Sequence, residues 1–303
     1  REQREGELAI LRPGGVPPGH HRKGPNGVVA DCAVFGAGQR GTTGRTVHWQ
    51  ELWRHELHAA RLRNPVVIVP VGSVEQHGPH CPMDVDISHT QALAVATAQA
   101  IDDFPVIVAP PIWCGLTHYN MGEIGTISLS VETFIALVSD IGRSIWANGF
   151  HRLVLLNGHG GNRDILRVVS IKLAEEDIWV LPITHWEMVQ GVMKDAGERD
   201  HFIGHGGEWE TSLQLYLRPD LIDPSRIVAD PERPGFTDDV LAFTGFPERR
   251  RERAHGVHGD PTVASAEKGE RFFNAATERL VEVCRQYHEQ PVRRYREFGS
   301  HCP

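Results

Sequence analysis

Residues 65–86 read PVVIVPVGSVEQHGPHCPMDVD, an apolar run that passes directly into a polar, glycine-containing loop. The apolar part is rich in β-branched side chains and too short for a helix, so it predicts a buried strand. The polar part carries Glu75, His77 and Asp86. Because ligands of parallel sheets collect at the carboxyl ends of the strands, this stretch predicts both a sheet and a functional site at its edge.

The chain on both sides of this strand alternates between helical and extended patterns. Trp49, Leu52, Trp53 and Leu57 have helical spacing before it. After it, predicted strands cover 106–109, 152–156 and 178–183, and predicted helices cover 88–101, 131–148, 162–174, 210–217 and 264–287, with Ser88 and Ser130 as helix caps. Strands joined by helices of this length run parallel. The sequence therefore predicts an α/β protein with helices on both faces of a parallel sheet.

Two segments fall outside this alternation. Residues 1–46 are dense in glycine and proline and predict an extended N-terminal arm, whereas 47–303 predict a single domain. Residues 219–260 also lack periodicity and predict an irregular excursion over the surface.

The composition excludes several classes of protein. The 303 residues, 40% of them hydrophobic, are enough to bury a large core. The formal net charge of −8 predicts no nucleic-acid partner and no anionic membrane partner. No apolar run approaches the roughly 20 residues that a bilayer span needs. The five cysteines form no CxxC pair and the N-terminal residues are charged, so we expect a cytoplasmic protein.

Side chains that bind metals gather at three points where predicted strands or loops end. Two imidazoles and three carboxylates are involved: Glu75, His77, Asp86, His159 and Glu210. This mixture suits a pair of borderline divalent cations, with one carboxylate bridging them. A single strand-end histidine is more often a hydrogen-bonded structural residue than a ligand. Five such groups on separate elements favour the metal site.

Three motifs carry a family resemblance: PVGSVEQHGPHCPMDVD at 70–86, LLNGHGGN at 155–162 and HGGEWETS at 205–212. They closely resemble the signature blocks of the creatininase family (creatinine amidohydrolases), and the resemblance extends over residues 49–285. It implies a three-layer α/β/α sandwich around a mainly parallel sheet. It also implies a two-metal site and a homohexamer.

The resemblance assigns roles by motif position. Glu75 and His159 are expected to hold one metal, His77 and Glu210 the other, and Asp86 to bridge them. His205 matches a histidine with an acid-base role. Creatininase itself has tyrosine and glutamate after the histidine of the second block, where this chain has glycines at 160 and 161. Creatinine is therefore not the substrate that the sequence predicts.

Four further residues are predicted to contact substrate: Trp113, His118, Asn120 and Glu208. Trp113 is as readily explained by core packing, and Glu208 by a role as a helix cap. Two other residues of the first block, His80 and Asp84, either touch metal or substrate or orient a ligand.

The predicted function is that of a metal-dependent amidohydrolase. A water activated by two ions would cleave a non-peptide carbon–nitrogen bond (an amide, cyclic amide or formamide) of a small molecule. Zinc is the favoured metal, and manganese and iron are alternatives. Two other functions stay open: a metallopeptidase that trims a small peptide, and a lyase or hydrolase acting on an oxidised sugar or inositol derivative.

Overall fold

A computed structural model describes residues 46–229 and 255–292 of the chain. The predicted N-terminal arm, apart from Thr46, lies outside the described residues, and so does the middle of the predicted excursion. All the described residues belong to one unit of the chain.

The centre of the described fold is a sheet of four parallel strands. These are β1 (Val66–Val71), β2 (Val106–Val108), β3 (Leu153–Asn157) and β4 (Val180–Thr184). Their order in the sheet is β2-β1-β3-β4, with Val67 opposite both Ile107 and Leu153. The chain therefore adds β2 on one side of β1 and then returns to add β3 on the other side.

Helices cover both faces of this sheet. They are α1 (Arg54–Arg61), α2 (Val85–Ala100), α3 (Val131–Ala147), α4 (Arg163–Ala174), α5 (Gln190–Ala196), α6 (Glu208–Leu217) and α7 (Ala266–Glu289). Short 3₁₀ turns connect several of them, among them Trp49–Glu51, His118–Asn120, Gly160–Asn162 and His185–Val189. No helix in the described ranges is long and apolar enough to cross a bilayer.

Alternate residues of β1 supply two separate hydrophobic layers. Val66 and Ile68 pack with side chains of α2, α6 and α7, whereas Val67 and Val69 pack with those of α3 and α4. Successive side chains of a strand point to opposite faces, so a strand covered on both sides is apolar at every position. The predicted three-layer α/β/α arrangement is confirmed.

Several predicted helix starts are shifted in the structure, and one predicted cap is confirmed. The helix predicted from 210 begins at Glu208, and the one predicted from 264 begins at Ala266. The helix expected to start at Ser88 begins at Val85, because Ser88 lies inside the first turn and donates its hydroxyl to the Val85 carbonyl at 3.0 Å. The helical spacing at 49–57 spans a 3₁₀ turn and the start of α1. Ser130 caps α3 as predicted, since its hydroxyl oxygen accepts a bond from the Thr133 amide at 3.2 Å.

A buried arginine immediately before β3 hydrogen-bonds the carboxyl end of the last helix. The guanidinium of Arg152 donates to the carbonyls of Tyr287 at 2.9 Å and Gln290 at 2.5 Å. The last carbonyls of a helix have no partners within the helix, and a cation there is favourable. Arg152 thus ties the carboxyl end of α7 to the sheet.

Candidate metal centre

The carboxyl ends of β1 and β3 lie side by side at the point where the strand order reverses, with β2 added on one side of β1 and β3 on the other. Such a point leaves a crevice between two loops that diverge to opposite faces, which is where open α/β sheets bind ligands. Glu75 and His77 lie on the loop after β1, and His159 lies on the loop after β3. Asp86 and Glu210 approach from the first turns of α2 and α6.

Five predicted metal ligands form two groups that share Asp86. In the first group, His159 Nδ1 lies 3.2 Å from Glu75 Oε1 and 3.0 Å from Asp86 Oδ2. In the second, His77 Nε2 lies 3.1 Å from Asp86 Oδ1 and 3.6 Å from Glu210 Oε2. Each group brings together carboxylate oxygens and one imidazole nitrogen within a sphere that one cation can fill.

The surroundings of the two imidazoles fit a cation in each group. His77 Nδ1 lies 3.2 Å from the Glu75 carbonyl and His159 Nε2 lies 3.0 Å from the Leu116 carbonyl. Each ring therefore donates its outer N–H to a backbone oxygen and turns the other nitrogen towards the carboxylates, as metal-binding histidines do. Asp86 Oδ2 is buried and accepts no hydrogen bond of acceptable geometry, which leaves it an oxygen for a cation.

Electrostatics in the cluster favour added positive charge. Burial by itself lowers the pKa of His77, but Asp86 and Glu210 overcome it and raise that pKa to about 10. Burial raises the pKa of Glu210 to about 7 despite the nearby His77. In Glu75 the effect of burial is outweighed by His159 and the other imidazoles, so its pKa is lowered well below the usual value. In the metal-free protein, protons bound to the cluster thus offset the negative charge of its carboxylates. A cation must displace these protons in order to bind.

Two side chains from the segment after β2 hold Glu75. Its Oε2 accepts hydrogen bonds from the Thr117 hydroxyl and, at 2.8 Å, from the Asn120 amide. Oε1 is therefore the oxygen turned to the cluster. Asn120 is buried and donates to this predicted ligand, and its contact with substrate stays a prediction. The sequence did not single out Thr117, whose one signal is its position in the loop that follows the predicted strand 106–109.

The structure brings His205 into the cluster. Its Nδ1 lies 3.4 Å from Glu75 Oε1, and its Nε2 lies 2.6 Å from the Gln76 carbonyl. The ring lies against that of His77, with centroids 4.3 Å apart, and with His77 and Glu75 it forms a third group able to hold a cation. Paired backbone bonds with His258, at 2.9 and 2.6 Å, fix this part of the chain.

Glu208 is not brought to the cluster. Its carboxylate accepts bonds from the backbone amides of Glu198, Arg199 and Asp200, at 3.0, 3.0 and 2.9 Å. The Glu208 carboxylate also accepts a hydrogen bond from Lys268 Nζ at 2.7 Å. These contacts favour the helix-terminal role considered for Glu208, in which it anchors residues 198–200, over the predicted contact with substrate.

The remaining predicted residues are not members of the two groups of predicted ligands. Core packing is wrong for Trp113, which is 51% exposed, and His118 is exposed as well. Contact of these two side chains with substrate stays a prediction. His80 bonds the Thr211 hydroxyl at 2.8 Å, and Asp84 pairs with Arg218 at 2.7 Å.

A parallel α/β/α sheet with buried carboxylate and imidazole groups at its carboxyl edge is typical of a metal-binding hydrolase. The chain belongs to the creatininase family: residues 50–284 match the family model described as creatinine amidohydrolase.

Characterised relatives carry three different names. The chain is 33% identical to the mycofactocin precursor peptide peptidase of Mycolicibacterium smegmatis, over 69% of this chain and 80% of the relative. It is 31% identical to the creatinine amidohydrolase of Pseudomonas putida, over 73% and 89%. It is 26% identical to the 3-dehydro-scyllo-inosose hydrolase of Thermotoga maritima, over 80% and 84%. The family is thus shared while the substrates of its members differ.

Solved creatininase structures have the same fold. A Zn–Zn form of a mutant creatininase superposes with a TM-score of 0.70 at 29% identity, over 82% of this chain and all (100%) of that one. A manganese form gives the same score and identity over 81% and 100%.

Proposed function

We propose that this protein is a metal-dependent amidohydrolase that cleaves a non-peptide carbon–nitrogen bond of a small molecule with the help of two divalent cations. The observation that carries the proposal is the pair of buried groups that share the carboxylate of Asp86. Zinc suits this mixture of nitrogen and oxygen ligands best, with manganese or iron as alternatives.

Each ligand has a role in the proposal. Glu75 and His159 hold one cation, His77 and Glu210 hold the other, and Asp86 contributes one oxygen to each. When bound, two such ions polarise a carbonyl and supply a hydroxide nucleophile near neutral pH. The Thr117 and Asn120 bonds keep Glu75 Oε1 pointed at the cluster.

His205 is the proposed acid-base residue. Its Nε2 is held by the Gln76 carbonyl, so Nδ1 is the atom turned into the site. A proton carried at Nδ1 would pass to the leaving nitrogen, which must be protonated before it departs as an amine.

Two other substrate classes have specific support. Trimming of a peptide is supported by the name of the relative from Mycolicibacterium smegmatis, and action on an oxidised inositol by that of the relative from Thermotoga maritima. Both chemistries use the same cluster, so the metal centre alone does not separate them.

The test is metal content per chain, followed by activity of the stripped and reloaded protein. The substrates are cyclic amides, ureides, formamides, short peptides and an inosose. We expect two ions and turnover of an amide class. The Asp86→Asn variant should lose the bound ions and the turnover. The Asp164→Asn variant, which alters a partly exposed carboxylate on α4, should keep the ions and the turnover. Two ions with turnover of peptides or the inosose alone would reject the non-peptide assignment.

The homohexameric assembly and the cytoplasmic location implied at the sequence level stay predictions. Light scattering on the purified protein measures the first, and fractionation of cells that express it measures the second.

A further inference from the structure

Two oxygens lie at the outer nitrogen of His159. Nε2 is 3.0 Å from the Leu116 carbonyl oxygen and 3.0 Å from the phenol oxygen of Tyr119. Tyr119 lies on the 3₁₀ turn His118–Asn120 and is half-buried. The family resemblance places Tyr119 with its neighbours in a segment expected to line the pocket, but it assigns no role to the tyrosine itself.

The direction of these two bonds follows from the ligand role proposed for His159. Nδ1 faces Glu75 and Asp86, so binding a cation there requires a lone pair on Nδ1 and places the ring proton on Nε2. A carbonyl can only accept. The phenol oxygen therefore also accepts this proton, in a bifurcated bond, and its own hydroxyl proton is not used in the contact.

Gly161 lies against the same three groups. A Cβ added at this position would be 2.6 Å from His159 Nε2 and 2.9 Å from the Tyr119 hydroxyl, and it would overlap the Leu116 carbonyl oxygen. A side chain at 161 and the observed position of residues 116–119 therefore exclude each other.

We propose that Tyr119 is the positioning residue of His159 in this site. Its hydroxyl and the Leu116 carbonyl share the Nε2 proton, fix the plane of the ring and keep Nδ1 turned to Glu75 and Asp86. An additional acceptor on the outer nitrogen also makes Nδ1 a stronger donor to a metal. The glycine at 161 is the sequence condition for this arrangement.

The inference rests on the proposed function, because it assumes that His159 binds a cation. The test is Tyr119→Phe, which keeps the ring and removes the oxygen. Its matched control is Tyr287→Phe, which removes a phenol bonded to the Trp179 carbonyl at 3.4 Å. The affinities of both sites for Zn²⁺ are measured by competition with a chromophoric chelator, with thermal unfolding of the metal-free proteins alongside.

We expect Tyr119→Phe to weaken one of the two Zn²⁺ sites by about 10-fold or more and to leave the other unchanged. The control variant should retain both affinities, and Tyr119→Phe should unfold at the temperature of the wild-type metal-free protein. Gly161→Ala should weaken the same site further, and adding Tyr119→Phe to it should then change little, because the two substitutions disturb one contact.

Three results would overturn the inference. Wild-type affinity at both sites in Tyr119→Phe rejects the positioning role alone and leaves the proposed function intact. Equal weakening of both sites indicates a general structural effect. If the wild-type protein itself binds no Zn²⁺, the proposed function fails and this inference fails with it.

Discussion

Substituting Glu208 tests whether this residue contacts substrate or anchors residues 198–200. The Glu208→Ala variant leaves the backbone amides of Glu198, Arg199 and Asp200 without their acceptor. An unsatisfied buried donor costs about 1–3 kcal/mol. Residues 198 and 199 are exposed and can turn to water, whereas Asp200 is buried and cannot.

The ion pair with Lys268 adds to this cost. The ammonium group keeps partial access to solvent and a second carboxylate partner, Glu198, at 2.6 Å, so its loss is partly compensated. The cost of the unpaired Asp200 amide and that of the lost ion pair together lie near the lower end of the 3–5 kcal/mol typical of a broken buried pair. We therefore expect Glu208→Ala to lose about 3 kcal/mol of unfolding free energy.

The assay is urea unfolding of the metal-free protein, with the metal content and KM of the loaded protein. Glu198→Ala, which removes an exposed carboxylate, is the control and should change stability by less than about 1 kcal/mol. Unchanged stability of Glu208→Ala together with a raised KM would refute the anchor and restore the substrate contact.

The pH dependence of this effect has a defined sign. Burial raises the pKa of Glu208, but the Asp200 amide and Lys268 outweigh it and bring the pKa below 4.5. A carboxylate whose pKa is lower in the folded state contributes stability above its unfolded pKa and loses it in acid. The difference between the wild type and Glu208→Ala should therefore shrink as the pH falls below 4.5.

The remaining predictions concern the metal centre. Asp86→Ala should abolish binding of both ions because each group uses one of its oxygens, and elemental analysis that still finds two per chain would reject the bridge. His205→Ala should keep both metals yet lose at least about 100-fold in kcat, as for a missing acid-base group; an unchanged kcat removes His205 from the reaction, and loss of a metal makes it a ligand. Affinity for Zn²⁺ should rise with pH through neutrality, because His77, with a pKa of about 10, and Glu210, with a pKa of about 7, release protons when a cation binds; a flat profile between pH 6 and 8 would contradict the proton competition.

The strands and the candidate metal ligands could be predicted from the sequence because each has a local pattern. An apolar, β-branched run such as Val66–Val71 is interpretable without its neighbours, and acidic and imidazole side chains after such runs stand out by chemistry. The sheet then brings them together, because parallel strands end at one edge. The fold class followed from the same alternation of strands and helices.

Other features depend on distances that the sequence does not contain. Ser88 resembles a cap, but the helix already begins at Val85, and Asp84 before it makes no side-chain capping bond. The contacts of Thr117 and Tyr119 join an irregular segment to Glu75 and His159, which are distant in sequence. Glu208 has the chemistry of a site residue, and its burial is explained by the amides of residues 198–200 and by Lys268, which are distant from it in the sequence pattern.

The hydrogen bonds between Arg152 and the carboxyl end of α7 limit how far the chain can be shortened from its C-terminal side. A chain shortened before Gln290 would lose one of the two carbonyls that Arg152 binds and leave part of a buried guanidinium charge without a partner, next to the first residue of β3. Because β3 lies beside β1 and ends at the metal centre, loosening its first residue threatens the loop that carries His159. A C-terminal truncation should therefore retain Gln290.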